Sequence, residues 1–349
     1  MKNKKKNIAV IIIISALVVF LVLKDNFTEK IHYLFSINPL CLLLSFTLII
    51  IYWILKGIAL HYCVNQVDKK STIKSGIKLM ITTNLFHAIT PFASGGQPWQ
   101  IYRLKKEGIP ISKSTNIIIE DFITYQIALV LLGIVAVISN NIFKILPEDS
   151  TLGYLVTIGF ALNTLIVIVL FIVSFSRKSN RVIIKGTINI LSKIKIIKNK
   201  EKLLNKSEEY IKNFHDSAKI LLKNKFNLTR IILLNFTALT ILYLIPFTLM
   251  LGLNIYVNPF YVVVTSAYVM LIDSIIPTPG STGGLEYGFM SFFKTFIKEP
   301  KLSIIMIVWR IVTYYFGIFT GIIFLNTYKE EKAWELVFLQ KRIHHILVD

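Results

Sequence analysis

Uncharged apolar runs close to the thickness of a bilayer constrain this chain more than any other feature. The clearest cover residues 7–23, 39–63, 117–138, 152–175, 231–251, 257–276 and 302–325, near the ~20 residues that a helix needs to cross hydrocarbon. Lipid offers backbone groups no partners, so such runs must satisfy their own hydrogen bonds as helices. Hydrophobic residues make up 54% of the 349 positions and the mean hydropathy is +0.64. The expectation is an all-α, polytopic integral membrane protein with about seven full transmembrane helices. Residues 77–92 and 285–297 are shorter or more polar and are expected as two re-entrant or half helices. Lys2, Lys4, Lys5 and Lys6 precede the first run, but no small-residue cleavage site follows it, so a retained first helix is expected.

Each short segment abuts a copy of one motif. Thr90-Pro91-Phe92-Ala93-Ser94-Gly95-Gly96 and Thr278-Pro279-Gly280-Ser281-Thr282-Gly283-Gly284 both read T-P-x-x-[S/T]-G-G and lie 188 positions apart. Proline removes a helix hydrogen bond and glycine admits backbone conformations that other residues avoid, so each copy should break a helix. Broken helices at matching places in two halves point to a transporter's central site. Two pseudo-repeated halves follow, 1–175 and 228–326, joined by a basic loop at 176–227 and followed by a tail at 327–349, in a single membrane domain.

The formal net charge is +20. Between residues 176 and 227 there are fourteen Lys/Arg and four Asp/Glu. Basic loops stay on the cytoplasmic side, which places the N-terminus and this loop inside and explains the charge without nucleic acid. Basic residues on both flanks of 77–92 argue for a re-entrant hairpin, and both motif copies are expected toward the cytoplasmic side. Within the loop, 182–197 and 203–221 carry apolar residues at helical spacing. They suit an amphipathic element on anionic lipid or a helical hairpin linking the halves.

Charges inside apolar runs are costly and mark candidate sites. Arg310 lies roughly 12 Å along its run at ~1.5 Å per residue, where it is expected to bind a phosphate or pair with a carboxylate. Asp273 precedes the second motif, Glu286 follows it, and Glu120 and Asp121 follow the first. Glu286 also suits capping of freed N–H groups. The opposite signs downstream of the two copies suit an ion pair between halves, or a zwitterionic or anionic ligand. Thr90, Ser94, Gln97, Thr278 and Thr282 add neutral hydrogen-bonding groups. A half-helix starting at Gly95-Gly96 or Gly283-Gly284 aims its positive end at an anion. Lys56 lies within snorkelling reach of an interface and is expected to be structural. No catalytic residue, cofactor or metal ligand set is expected: Cys41, Cys63 and six scattered histidines have no ligand spacing.

The stretches Pro277–Glu286 and Val308–Gly317, together with Asn84, Pro91–Pro98, Tyr102-Arg103-Leu104 and Gly108, resemble the lysylphosphatidylglycerol synthase/flippase membrane-domain family over about residues 8–326. The resemblance implies a membrane unit of eight or so helices that moves phospholipids such as lysyl-phosphatidylglycerol between leaflets. It also implies roles for Glu286 and Arg310. Glu120 stands at an acidic position of the family, and Asp121 where many members carry arginine. Larger members add a soluble synthase domain, and the 327–349 tail is too short for one. The reading is a flippase-like protein of the cell membrane that takes phospholipid as its partner at a polar site between inverted halves. The alternatives are a phosphatidylglycerol lysyltransferase using lysyl-tRNA, or a scaffold for a separate synthase or glycosyltransferase.

Overall fold

The computed structural model describes residues 27–146, 150–176, 182, 186, 224–273 and 275–328. The expected helix at 7–23, the tail, and the amphipathic segments at 182–197 and 203–221 lie outside these residues, save for positions 182 and 186. Every regular element described is helical.

A short helix, α1 (Phe27–Ser36), leads to α2 (Pro39–Asn65), which starts with Pro39 in its first turn and the Asn38 side chain accepting from Leu40 N. The pair α3 (Ile73–Ala88) and α4 (Gly96–Lys106) flanks the first motif. A Thr72/Ser75 capping box fixes where α3 begins. Helices α5 (Ile111–Phe143) and α6 (Ser150–Phe175) complete the first half. The second half opens with α7 (Lys225–Tyr243) and α8 (Ile245–Gly252), one apolar stretch kinked where Pro246 removes a donor. Ser266 Oγ donates to the Tyr243 carbonyl at that kink (3.0 Å), so the break stays satisfied inside protein. Then α9 (Pro259–Asp273) and α10 (Gly284–Phe293) flank the second motif. Last come α11 (Lys301–Arg310), a π-helical turn (Ile311–Tyr315) and α12 (Phe316–Asn326).

Among the described residues four stretches are long and apolar enough to cross a bilayer: Pro39–Asn65, Ile111–Phe143, Lys225–Gly252 and Lys301–Asn326. Gly153–Val169 within α6 and Pro259–Asp273 are shorter apolar helices. The run at 257–276, expected as a full crossing, is instead the first arm of a hairpin. Its 15-residue helix spans ~22 Å at ~1.5 Å per residue and then breaks, short of a ~30 Å hydrocarbon core. Apolar length alone does not separate a crossing from a buried hairpin arm.

The two hairpins enter from opposite ends of the bundle. At one end Asn227 Nδ2 donates to the Tyr62 carbonyl (3.4 Å), which puts the start of α7 beside the end of α2. The α3–α4 hairpin begins and ends there, among Lys69, Lys70, Lys105 and Lys106. At the other end Asn38 N donates to the Gly252 carbonyl (2.9 Å) and Lys301 Nζ to the Leu253 carbonyl (3.4 Å). The α9–α10 hairpin starts from and returns to that end. The expectation that both motif copies lie toward one side is therefore corrected: loop charges report where a hairpin's feet stand, whereas both tips reach inward and pack on each other.

Close backbone approach holds the first hairpin to α2. A methyl built on Gly57 would lie 2.8 Å from Ile77 N, and one on Gly76 would lie 2.5 Å from the Gly57 carbonyl oxygen. Small residues at such crossings allow the backbone packing that joins helices in lipid. Gly57→Ala is expected to destabilise by about 1–3 kcal/mol through overpacking against rigid backbone. A thermal melt in detergent beside Gly153→Ala, where the added methyl meets nothing within 4 Å, checks it. Aromatic stacks lock the remaining arms: Phe86 on Trp99 at 4.5 Å within the first hairpin, and Phe289 on Trp309 at 4.7 Å between α10 and α11.

Candidate functional site

The two motif copies fold alike. In each, the threonine is extended, the proline opens a single 3₁₀ turn, and the next two residues have positive φ. These are Phe92 (52°) and Ala93 (49°) in the first copy, and Gly280 (60°) and Ser281 (52°) in the second. An L-residue held there costs about 1–2 kcal/mol, so three strained residues mark these turns as over-determined by their surroundings.

Hydrogen bonds close each turn. Thr90 Oγ1 donates to the Phe86 carbonyl (2.7 Å) and accepts from Gly95 N (2.8 Å), while His87 Nδ1 donates to the Ala93 carbonyl. The Ser94 hydroxyl donates to the Pro91 carbonyl at 2.9 Å. Gly95 packs on Thr90 and Gly96 on the His87 ring. In the second copy Thr278 Oγ1 donates to the Thr282 carbonyl (2.8 Å) and Thr282 Oγ1 to the Pro279 carbonyl (2.9 Å). Gly283 N donates to Glu286 Oε2 (2.7 Å), and Gly284 packs on Ile276. The threonines and glycines singled out in the sequence thus build the turns. Both half-helix starts have a protein partner at one N–H, Gly95 on Thr90 and Gly283 on Glu286.

A cavity of about 620 Å³ lies beside the touching tips, within the ~300–1,000 Å³ of small-molecule sites. Phe92, Ala93, Ser94 and Gln97 reach it from the first hairpin, and Asp273, Gly280 and Ser281 from the second. Arg310 enters from α11 at the edge of the π turn. Its Nε pairs with Glu286 Oε1 (2.8 Å), and its Nη2 donates to the Gly280 carbonyl (2.8 Å) and Thr282 Oγ1 (3.4 Å). The guanidinium also lies 4.4 Å from the Tyr314 ring centroid. Nη1 has no protein partner among the described residues.

Asp121 faces the same cavity from α5, at the place in the first half that Arg310 holds in the second: 31 residues after Thr90 against 32 after Thr278. The two do not pair. Asp121 lies 3.9 Å from Lys56, and Arg310 binds Glu286, so the ion pair expected between halves is replaced by one within each half. Glu120 is not brought to the cavity. One residue along the helix turns it away, and it accepts from Gln66 Nε2 at 3.0 and 3.2 Å.

Lys56 overturns the structural expectation. It is 4% exposed, lines the cavity, donates to Asn235 Oδ1 (2.7 Å) and sits 4.5 Å from the Tyr125 ring centroid. Its place near the end of an apolar run mimics snorkelling, and only its remote partners reveal otherwise. His87, Gln100, Gln126 and Asn163 also line the cavity, and Gln126 Nε2 donates to Asn163 Oδ1 (3.2 Å). For Gln126 and Asn163, polar residues inside the membrane-length runs 117–138 and 152–175 were the available signal. Among the described residues no His/Cys/Asp/Glu group could hold a metal ion.

Lys56→Met is expected to destabilise by about 3–5 kcal/mol, because it leaves Asp121 buried without a cation. A thermal melt showing recovery in Lys56→Met/Asp121→Asn would confirm the pairing, and identical melting of wild type and Lys56→Met would refute it.

Helices that cross a bilayer, with two broken hairpins meeting beside a cavity that charged side chains enter, define a multi-pass membrane protein. Residues 7–321 match the family described as the lysylphosphatidylglycerol synthase TM region, and the chain belongs to that family. It is similar to a UPF0104 membrane protein of Archaeoglobus fulgidus, with 22% identity over 297 residues that cover 83% of this chain and 87% of the relative.

Proposed function

We propose that the chain translocates phospholipid headgroups between leaflets of the cell membrane, with its basic end and N-terminus cytoplasmic. The observation that carries this reading is Arg310. It is a membrane-depth guanidinium that pairs with Glu286 through Nε, which makes no hydrogen bond, and donates through Nη2 to Gly280 and Thr282, beside a cavity shared by both hairpin tips. Guanidinium is the side chain best suited to phosphate oxygens. A cavity of this volume holds a headgroup and leaves acyl chains in the bilayer. For an aminoacylated headgroup such as lysyl-phosphatidylglycerol, Asp273 supplies the acid. Glu286 is engaged by Arg310 and Gly283, and Glu120 by Gln66. Hairpins inserted from opposite ends let either side open while the other stays closed, the arrangement of transporters with inverted repeats.

Proteoliposomes carrying fluorescent phospholipids that differ only in headgroup test this. The expected result is faster leaflet exchange of phosphatidylglycerol and its aminoacylated derivative than in protein-free vesicles, measured by quenching the outer-leaflet label. Exchange no faster than in empty vesicles for every headgroup would reject the reading.

A further inference from the structure

The two ion pairs at the cavity differ in kind. Arg310 and Glu286 are in contact, whereas Lys56 Nζ stands 3.9 Å from Asp121 Oδ1, beyond hydrogen-bond range. Asp121 lines the cavity with its side chain 10% exposed, yet Oδ1 is buried and accepts no hydrogen bond. A buried acceptor without a donor is expensive, more so when it carries charge. Lys56, by contrast, does not depend on Asp121. Its ammonium donates to Asn235 Oδ1 and lies over the Tyr125 ring, and Asn235 is itself held by donating to Thr124 Oγ1 at 3.1 Å. Neutralising Asp121 therefore leaves Lys56 partnered.

We infer that Asp121 is a proton-binding site coupled to occupancy of the cavity by an anionic phosphodiester. The inference rests on the reading of the cavity as a headgroup site. Hydronium in the cavity water gives up a proton: one of its O–H bonds breaks, an O–H bond forms on the carboxylate, and a water molecule is left. The Lys56–Asp121 pair passes from neutral to singly positive, and the new hydroxyl is a donor where none existed. Added positive charge favours the anion, and by reciprocity the bound anion favours the proton. Release of the headgroup returns the proton to water.

The groups facing Asp121 fit this role. From α2 come Tyr52, Lys56 and Cys63, and on its own helix stand Glu120 and Tyr125. Asp273 of α9 shares Tyr52 and Tyr125 as neighbours. The cavity-lining groups from α4 are the neutral Gln97 and Gln100 and from α6 the neutral Asn163, α7 supplies the neutral Asn235, and His87 of α3 lines the same cavity near Lys56. Among the described residues Lys56 is the cation paired with Asp121, and Glu120 beside it opposes a second negative charge.

Purified full-length protein in detergent, titrated with short-chain phosphatidylglycerol, tests the coupling, because the phosphodiester keeps its charge across the range studied. Calorimetry in two buffers of different ionisation enthalpy counts the protons. Wild type is expected to take up about one proton per headgroup bound, with affinity rising up to about tenfold per unit fall in pH. Asp121→Asn, isosteric with the neutral acid, is expected to bind with no proton uptake and no pH slope. Infrared difference spectra of wild type should gain a carboxylic-acid carbonyl band on binding, a readout that needs no variant. Binding without proton uptake, or uptake that persists in Asp121→Asn, overturns the coupling alone. No binding by wild type at any pH overturns the headgroup reading with it.

Discussion

Arg310→Ala is expected to abolish headgroup-dependent leaflet exchange and to lower stability by about 3–5 kcal/mol, the cost of leaving one member of a buried ion pair alone. Glu286 and Arg310 have side chains 8% and 7% exposed, so water cannot replace the lost partner. The guanidinium also ties α11 to the second hairpin through the Gly280 carbonyl and Thr282 Oγ1, 30 and 28 residues away in sequence. Folding and transport separate in the double variant Arg310→Ala/Glu286→Gln. The neutral amide keeps an oxygen for Gly283 N while removing the orphaned charge, so thermal stability should largely return and exchange should not. Arg310→Lys keeps the charge but loses the planar fork, and one ammonium cannot reproduce the Glu286 ion pair together with the two Nη2 hydrogen bonds. Its exchange rate should fall between wild type and the alanine variant. Exchange in Arg310→Ala equal to wild type, in protein that remains folded, would remove Arg310 from the site.

Hairpin tips were legible in the sequence because Pro and Gly act locally: the fourfold coincidence of Thr, Pro and two glycines needs no partner to break a helix. Arg310 was legible for the same reason, since a cation deep in an apolar run carries its cost wherever it folds. Lys56 was not. It lies 65 residues from Asp121 and 179 from Asn235, and tertiary pairing alone distinguishes a buried lysine from one reaching an interface. Neighbouring acids likewise share a sequence signature but not a fate. A step of one residue turns a helical side chain by about 100°, which sends Asp121 to the cavity and Glu120 to Gln66. The direction of the second hairpin was hidden because one of its feet, 252–258, carries no charge, while the other holds Lys294, Lys298 and Lys301. Its feet are placed by contacts such as Asn38 with Gly252 that sequence spacing does not encode.

Gly280→Val is expected to disable transport while leaving the expression of a membrane-inserted chain intact, because it strikes the junction of the two tips. The Cα hydrogen that a side chain would replace points at Tyr314: an added Cβ would stand 2.5 Å from its Cζ and 2.7 Å from its hydroxyl. Gly280 also has φ +60°, where a β-branched residue is most strained. The ring cannot move freely, since the Tyr314 hydroxyl donates to the Ala88 carbonyl (3.0 Å) at the end of α3, a buried bond between the halves. Phe92 occupies the corresponding place in the first hairpin and is 60% exposed, so the same backbone turn admits a large side chain where no ring fills the space. Tyr314→Phe, which orphans one buried carbonyl, should cost about 1–3 kcal/mol. Gly280→Val should cost more, and Gly280→Val/Tyr314→Ala should recover part of the loss by opening room, with the backbone strain remaining. Melting temperatures and exchange rates across this set check the ordering. If Gly280→Val melts and transports like wild type, the tips do not meet through Tyr314, and the cavity loses the wall that joins its halves.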